Sequence, residues 1–313
     1  MAILYEHPEW FKPLFAALDE RRADYVAIDA TSHAYDPGDR EIPYSLVVNR
    51  MSPSAWMRGH RDAIFHTLRY LEHLDDIGAP VLNGARAFRF ELSKAAQYSL
   101  MSRIGLRHPA TRVLSRPAQA LAAASELRYP VLIKPNIGGS GAGIQSFATP
   151  DELAAAVDRG ALDFGIDHVG LLQEHVPAAG DAIVRIEMLA GEFLYAIRLL
   201  LTPGTFNLCP ADYCELPGTA DGVSGRGLPI EAFEPPAEII DDARRLVSAA
   251  GMDVGGVEYL VDARDGGHVF YDVNALSNFV ADAPTVIGFN PYANLADLII
   301  ARARAEQAAV SAA

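Results

Sequence analysis

Tyr129-Pro130-Val131-Leu132-Ile133-Lys134-Pro135-Asn136-Ile137-Gly138-Gly139-Ser140-Gly141-Ala142-Gly143-Ile144 is the stretch whose reading decides the fold. A short apolar run ends in a lysine, four glycines follow, and Ile144 opens Gln145-Ser146-Phe147. The pattern predicts strand, loop, strand. Glycine permits positive φ and lets backbone N–H groups approach a ligand closely. Such groups beside a lysine make a cradle for phosphate oxygens. The same residues also suit a glycine-rich hairpin turn with a surface lysine, and the loop alone does not decide between the two. No Gly-Lys-Ser/Thr follows the glycines, which excludes the phosphate-loop pattern. The helix and later ribose-binding acid of a dinucleotide fingerprint are missing too.

At 313 residues the chain has room for two or three compact lobes. Half of it is hydrophobic and 21% is charged, as in an ordinary globular enzyme. The net charge of −14 argues against nonspecific nucleic-acid binding, which draws on basic patches. Cys209 and Cys214 have no partner Cys or His cluster, which argues against zinc, and both are expected to be reduced. The N-terminus lacks a secretory signal, and no apolar run approaches ~20 residues, so no membrane span is expected. A cytoplasmic setting is the matching expectation.

Strand and helix signals alternate through the first third: strands at 2–5, 25–29 and 45–49, helices at 10–22 and 60–74, and a short strand and turn at 80–84. That alternation implies parallel strands with crossover helices and an open α/β lobe over residues 1–88. Residues 90–105 read as one helix carrying Lys94, 111–114 as a strand, 119–127 as a helix. A further helix starts at Pro150, and 169–176 is a strand. This makes a second compact α+β unit, residues 89–176. A hairpin at 183–200 and a helix at 237–251 follow, then strands at 257–261 and 268–274 and a closing helix from Pro291 to about 305 with a frayed alanine-rich tail. These form a third unit, residues 177–313. The irregular stretch 202–236 reads as a substrate loop.

Glu258 lies on one strand of the last hairpin, with Asp272 and Asn274 on its partner across Asp265-Gly266-Gly267. Residues two apart on a strand share a face, and Glu258 falls opposite Asp272. Three oxygen-bearing side chains then converge, which suits magnesium completed by phosphates and water. A solvent-facing polar stripe is the competing interpretation. Apolar Val257, Leu260, Val269, Phe270 and Val273 argue instead for a core hairpin, whose carboxylates need cation partners.

With these motifs in hand, the chain resembles ATP-grasp ligases of the RimK and glutathione-synthetase type and, more distantly, D-alanine–D-alanine ligase. The resemblance runs in motif order from Val81 to Ile300. It implies an ATP-grasp fold of α/β class with α+β lobes, preceded by an open parallel α/β lobe. By the same resemblance Lys94 and Lys134 are the two ATP lysines, and the flap is Gly138, Gly139, Ser140, Gly141 and Gly143. Gln173, Glu174, His175 and Val176 are the hinge that holds adenine, and Asp181 is the acid on the ribose hydroxyls. Arg185 faces phosphate or the acyl intermediate. Glu258, Asp272 and Asn274 bind magnesium, or manganese in its place. The order glutamate then aspartate reverses the family's usual pair. Ala275-Leu276-Ser277-Asn278-Phe279 replaces the Ser-Pro-Gly that often follows the ligand asparagine.

The implied activity is ATP-dependent carboxylate–amine ligation through an acyl phosphate. Lys94, Lys134 and Arg185 supply positive charge, and Arg198 is a second catalytic candidate. Asn49 and Arg50 follow a strand at the sheet end where open α/β sheets bind ligands, so both are substrate candidates, with Ser277 and Asn278. Arg58, His60 and Arg61 read as a solvated helix start, and His7 as a loop histidine. His7 and the segment Cys209-Pro210-Ala211-Asp212 are further candidates for the cleft. Small-molecule carboxylate and amine partners are expected, with no nucleic acid or membrane; homodimer formation is left open. A small-molecule kinase and a catalytically silent ATP-binding protein are the alternatives, and the intact acidic set speaks against silence.

Overall fold

A computed structural model describes residues 1–7, 9–139, 141–201 and 229–312. Ser140, both cysteines, the 209–212 segment and most of the 202–236 stretch therefore lie outside the described residues. The chain opens with β1 (Ala2–Tyr5), α1 (Lys12–Glu20), β2 (Val26–Asp29), β3 (Val47–Arg50), a 3₁₀ turn at Pro53–Arg58, α2 (Arg61–Asp76) and β4 (Val81–Leu82). The four strands form a parallel sheet in the order β2-β1-β3-β4. Parallel neighbours need crossovers, and α1 and α2 supply them.

Next come α3 (Ala85–Glu91), α4 (Lys94–Arg103), β5 (Thr111–Leu114), α5 (Ala120–Ala124), β6 (Val131–Pro135), β7 (Gln145–Phe147), α6 (Pro150–Asp158) and β8 (Gly170–Glu174). Residues 90–105, expected as one helix, are two. The Ser93 side chain accepts from the Ala96 N–H and caps a new helix at Lys94. The strands pair antiparallel in the order β5-β8-β6-β7, so the lysine strand and the strand after the glycines are neighbours.

β9 (Ala182–Leu189), β10 (Glu192–Leu200), β11 (Ile230–Ala232), α7 (Ala237–Ala250), β12 (Val254–Val261), β13 (His268–Asn274), α8 (Ala283–Ile287) and α9 (Pro291–Ala312) complete the chain. Their sheet is antiparallel, β11-β10-β9-β12-β13. α7 buries Ile239, Ala243, Leu246, Val247 and Ala250 at helical spacing against Val184, Ile186, Val257 and Tyr259 on one sheet face. The other face carries Arg185 to the cleft and packs Tyr195, Ile197 and Leu199 with Phe279, Val280 and Leu295. The expected frayed tail is instead the last turns of α9, consistent with alanine's high helix propensity.

One side chain ties the parallel lobe to the last sheet. Asn83 (φ 55) follows β4, and its amide nitrogen donates to the carbonyls of Val254 (2.7 Å) and Ala275 (2.6 Å). Its amide oxygen accepts from the N–H groups of Asp253 (2.7 Å) and Val254 (3.1 Å). Asparagine tolerates this left-handed backbone better than most residues. Asn83→Ala leaves these buried groups unpaired and strains the backbone, so unfolding stability should fall by about 2–4 kcal/mol in urea denaturation. A change below about 0.5 kcal/mol would show that the two lobes do not depend on this junction.

Candidate functional site

The parallel lobe, the lysine sheet and the last sheet enclose a cleft of about 490 Å³, within the range of small-molecule sites. One end is lined by Gln173, Glu174, His175, Val176 and Asp181. The other holds Lys94, Lys134, Arg185, Glu258, Asp272 and Asn274. Gly138, Gly139 and Gly141 border it from the loop after β6. Gly139 packs so tightly on Ser54 that a Cβ there would lie 3.0 Å from the serine Cβ.

Sheet register builds the charged end. Arg185 on β9 pairs with Glu258 on β12, which pairs with Asp272 on β13, while Glu187 and Asn274 flank Gly256 one pleat away. Arg185 Nη1 donates to Glu258 at 2.7 Å, Nε to Glu187 at 2.6 Å, and Nη2 to the Ser277 hydroxyl at 3.2 Å. Lys94 Nζ donates to Asp272 at 2.6 Å. A Cβ at Gly256 would sit 2.3 Å from Arg185 Nη2, so only glycine leaves room for the guanidinium.

Opposing terms set the ionisation of this cluster. Burial pushes Glu258 up, Arg185 pulls it down and Asp272 pushes it up again, leaving it above the usual carboxylate range. Burial also opposes the charge on Lys94, yet Asp272 outweighs it and raises the lysine. Lys134 has no carboxylate in hydrogen-bond contact. Its Nζ donates to the Tyr98 hydroxyl at 3.0 Å, and burial, helped by the Lys94 charge, pulls it down to about 7. The site thus holds a buried ammonium without a bound anion, which a phosphate oxygen would satisfy. Two carboxylates and an amide are hard oxygen donors and fit magnesium; among the described residues no cluster of three His, Cys, Asp or Glu offers another metal site.

The hinge segment is anchored by structure. Gln173 donates to the Thr111 hydroxyl at 2.9 Å, the Glu174 carboxylate accepts from the Arg128 N–H at 2.9 Å, and the His175 N–H donates to Pro130 O at 2.9 Å. The Gln173 amide and the Glu174 carboxylate are therefore already engaged within the protein. Asp181 (φ 47) is exposed at the cleft rim.

Several expected residues fall elsewhere. Arg198 is opposite Val184, one residue out of step with Arg185, so it stands on the other sheet face. There it pairs with Glu231 at 3.0 Å and lies 4.0 Å over Phe233, away from the cleft. Asn49 braces its own turn through Asn83 O (3.2 Å) and Met51 N (3.0 Å). Arg50 is fully buried, donates to Ser277 O and does not line the cleft. Ser277 acts on Arg185, and Asn278 reaches the cleft. Arg58 is not part of a solvated helix start, since it holds buried Glu6 and lies over Trp10 at 4.9 Å, whereas His60 is exposed at the start of α2, as expected, and also bonds Glu6 at 2.6 Å. Arg61 is exposed, as expected. His7 stacks on Trp10, whose ring reaches the cleft.

Three residues that build the site were not singled out in the sequence. Tyr98 is four residues after Lys94 on one helix face and bridges Lys134 to Tyr271 O (2.9 Å). Glu187 is two after Arg185 on one strand face. Glu91 accepts from the Ala275 and Leu276 N–H groups, and burial raises it to about 7. Spacing carried a signal for Tyr98 and Glu187. It carried none for Glu91, whose helix ends before Lys94.

Comparison with solved structures decides the fold. D-cycloserine synthetase DcsG superposes with a TM-score of 0.68 at 18% identity, covering 96% of this chain and 99% of that one. D-alanine–D-alanine ligase from Bacillus anthracis complexed with ATP gives 0.67 at 16% identity, covering 98% and 97%. The ATP-grasp ligase PsnB complexed with a minimal precursor gives 0.66 at 17% identity, covering 96% and 98%. The chain has the ATP-grasp fold. Residues 93–169 match the family described as carbamoyl-phosphate synthase L chain, ATP binding domain. The carbamoyl phosphate synthase large chain of Deinococcus radiodurans is 28% identical over 140 residues, which is 36% of this chain and 14% of that protein. Its counterpart from Thermotoga sp. (strain RQ2) is 27% identical over 209 residues, 64% of this chain and 17% of that one. The chain therefore spans about a sixth of the length of these curated relatives. No helix among the described residues is long and apolar enough to cross a membrane.

Lys134→Met keeps the stem and deletes the charge. Its affinity for magnesium–AMP-PNP, measured by calorimetry, should fall about ten- to a hundredfold, while the ligand-free melting temperature holds or rises. Unchanged affinity with a much lower melting temperature would make Lys134 a structural residue. Gly256→Ala should weaken the same binding by displacing Arg185, and full affinity in that variant would remove Arg185 from the phosphate end.

Proposed function

We propose that the chain is an ATP-dependent carboxylate–amine ligase. The observation that carries this is the gathering of Lys94, Lys134 and Arg185 beside Glu258, Asp272 and Asn274 at one end of a nucleotide-sized cleft. Adenine sits at the hinge 173–176, with Asp181 at the ribose, and the phosphates run toward the cations. Magnesium, when bound to Glu258, Asp272 and Asn274, would supply further positive charge to the phosphate oxygens.

A substrate carboxylate oxygen attacks the γ-phosphorus, the bond to the β-bridging oxygen breaks, and ADP leaves. The amine nitrogen then attacks the acyl carbon, the phosphate departs with the C–O electron pair, and the nitrogen gives up a proton. Lys134 and Lys94 hold the phosphate oxygens, and Arg185 faces the transferring group and the carboxylate. Most of the rate enhancement in such transfers is positioning and charge neutralisation. The loop 138–143 shields the acyl phosphate from water. The chemistry needs no nucleophilic side chain from the protein.

Asp272→Asn removes one metal ligand and leaves Lys94 unpaired. ADP release should drop by about 100-fold or more, with the far-ultraviolet circular dichroism unchanged. Near-normal release at millimolar magnesium would remove the metal assignment. In the parent chain, a ligase requires both a carboxylate and an amine for sustained ADP release. Sustained ADP release with a single acceptor and accumulation of a stable phosphorylated product would identify a kinase.

A further inference from the structure

Beside the charged end of the cleft lies a second cavity, of about 200 Å³, between the start of α1 and the chain from Asn278 to Tyr292. Trp10 and Asn278 line both spaces, so the small cavity continues the main one where Arg185 and the acidic set stand, not at the hinge. The two spaces differ in charge. The main cleft presents Lys94, Lys134 and Arg185. The described residues lining the small cavity include no lysine or arginine; their single ionisable acid is Asp282. Phe279, Val280, Ala281 and Pro284 give it apolar walls.

Nearby cations are turned elsewhere. Arg58 is held by Glu6, and Arg50 is fully buried against Ser277 O. Asn278 Oδ1 is buried and has no hydrogen-bond partner. A buried acceptor without a donor costs free energy until a donor arrives. An N–H group satisfies it, whereas a carboxylate oxygen would repel it.

We propose that this cavity seats the amine substrate, and that the substrate is a small amine with an apolar body. Its nitrogen is placed by Asn278 Oδ1 and Asp282, and its carbon body lies against the Phe279–Pro284 walls. This rests on the ligase reading above and deepens it: the carboxylate and phosphates occupy the cationic cleft, and the amine enters from the side whose described lining residues carry no lysine or arginine. The volume suits one body of amino-acid size and excludes a second nucleotide.

The chain carries two tryptophans, Trp10 and Trp56. Trp56→Phe leaves Trp10 as the sole indole reporter, and Trp56 Nε1 makes no hydrogen bond that would be lost. In this full-length background, isoamylamine is titrated against 4-methylpentanoate, which has a similar carbon body and the opposite charge. The amine should shift Trp10 emission saturably; any shift with the acid, held by the cationic cleft that Trp10 also borders, comes through a different site. Ala281→Phe fills the small cavity and should weaken the amine by on the order of tenfold or more while leaving acid affinity unchanged. Asp282→Asn, at an exposed position that does not threaten folding, should weaken the amine by about three- to tenfold and not the acid. Acid binding weakened by both substitutions as much as amine binding, amine binding indifferent to both, or no saturable shift with the amine would each overturn the assignment. The ligase reading fails separately. Hydroxylamine intercepts acyl phosphates without needing the cavity, so absence of hydroxamate with every carboxylate tried would sink ligation and leave the fluorescence result standing.

Discussion

Buried charge must be paired, and that constraint organises this molecule. Arg185, Glu258, Asp272 and Lys94 form a row across β9, β12, β13 and the first turn of α4, largely out of water. Breaking a buried pair by removing one partner typically costs about 3–5 kcal/mol, so each member dictates its surroundings. Gly256 is glycine because the guanidinium occupies the space where a side chain would stand. Glu187 and Ser277 take the remaining donors of Arg185. Asn83 locks the parallel lobe to Val254 and Ala275, which sit together at the end of the strand pair away from its turn. Lys134 stands outside this pairing, held by the neutral Tyr98 hydroxyl, and is the cation left for an incoming anion.

Much of this row was legible because strands obey a period of two and the turn at Asp265-Gly266-Gly267 sets the register. A hairpin centred on Asp265 puts Glu258 opposite Asp272, and the structure reaches that pairing through a register shift between Glu258 and Tyr259, since unbroken pairing from Val261 and His268 would put Tyr271 there; Asn274 shares the face of Asp272. Counting failed where a single residue decides the face. Arg198 was placed with Arg185 because both lie on the same strand system, yet it pairs opposite Val184 and so points to the α7 side. It failed again where the partner is remote in sequence. Glu6 lies on the turn after β1, and nothing local to Arg58 and His60 announces that both will bond it. The split between α3 and α4 turned on one capping serine. The strand, glycine loop and strand around Lys134 were readable from composition alone, since apolar strand and glycine loop are each strong local signals.

The cleft sorts its ligands by charge. Cations gather where phosphates and a carboxylate would react, and the adjoining cavity offers an amide oxygen, one carboxylate and apolar walls. A ligase of the proposed kind has to bring an anionic acyl phosphate and a neutral nucleophile together at one trigonal carbon, and the difference in charge between the two spaces would hold them apart until they react. The ATP-grasp ligases of similar fold match over nearly the whole chain at 16–18% identity. At that identity the likeness is one of architecture, not of substrate.

The central claim is that the row of buried charge is the seat of metal and triphosphate. Anomalous diffraction from a crystal grown with manganese and AMP-PNP tests it directly. The account predicts manganese peaks in coordination contact with Glu258, Asp272 and Asn274, with the triphosphate lying between them and Lys134. Manganese bound elsewhere, or a nucleotide whose phosphates point away from Lys134, would contradict it.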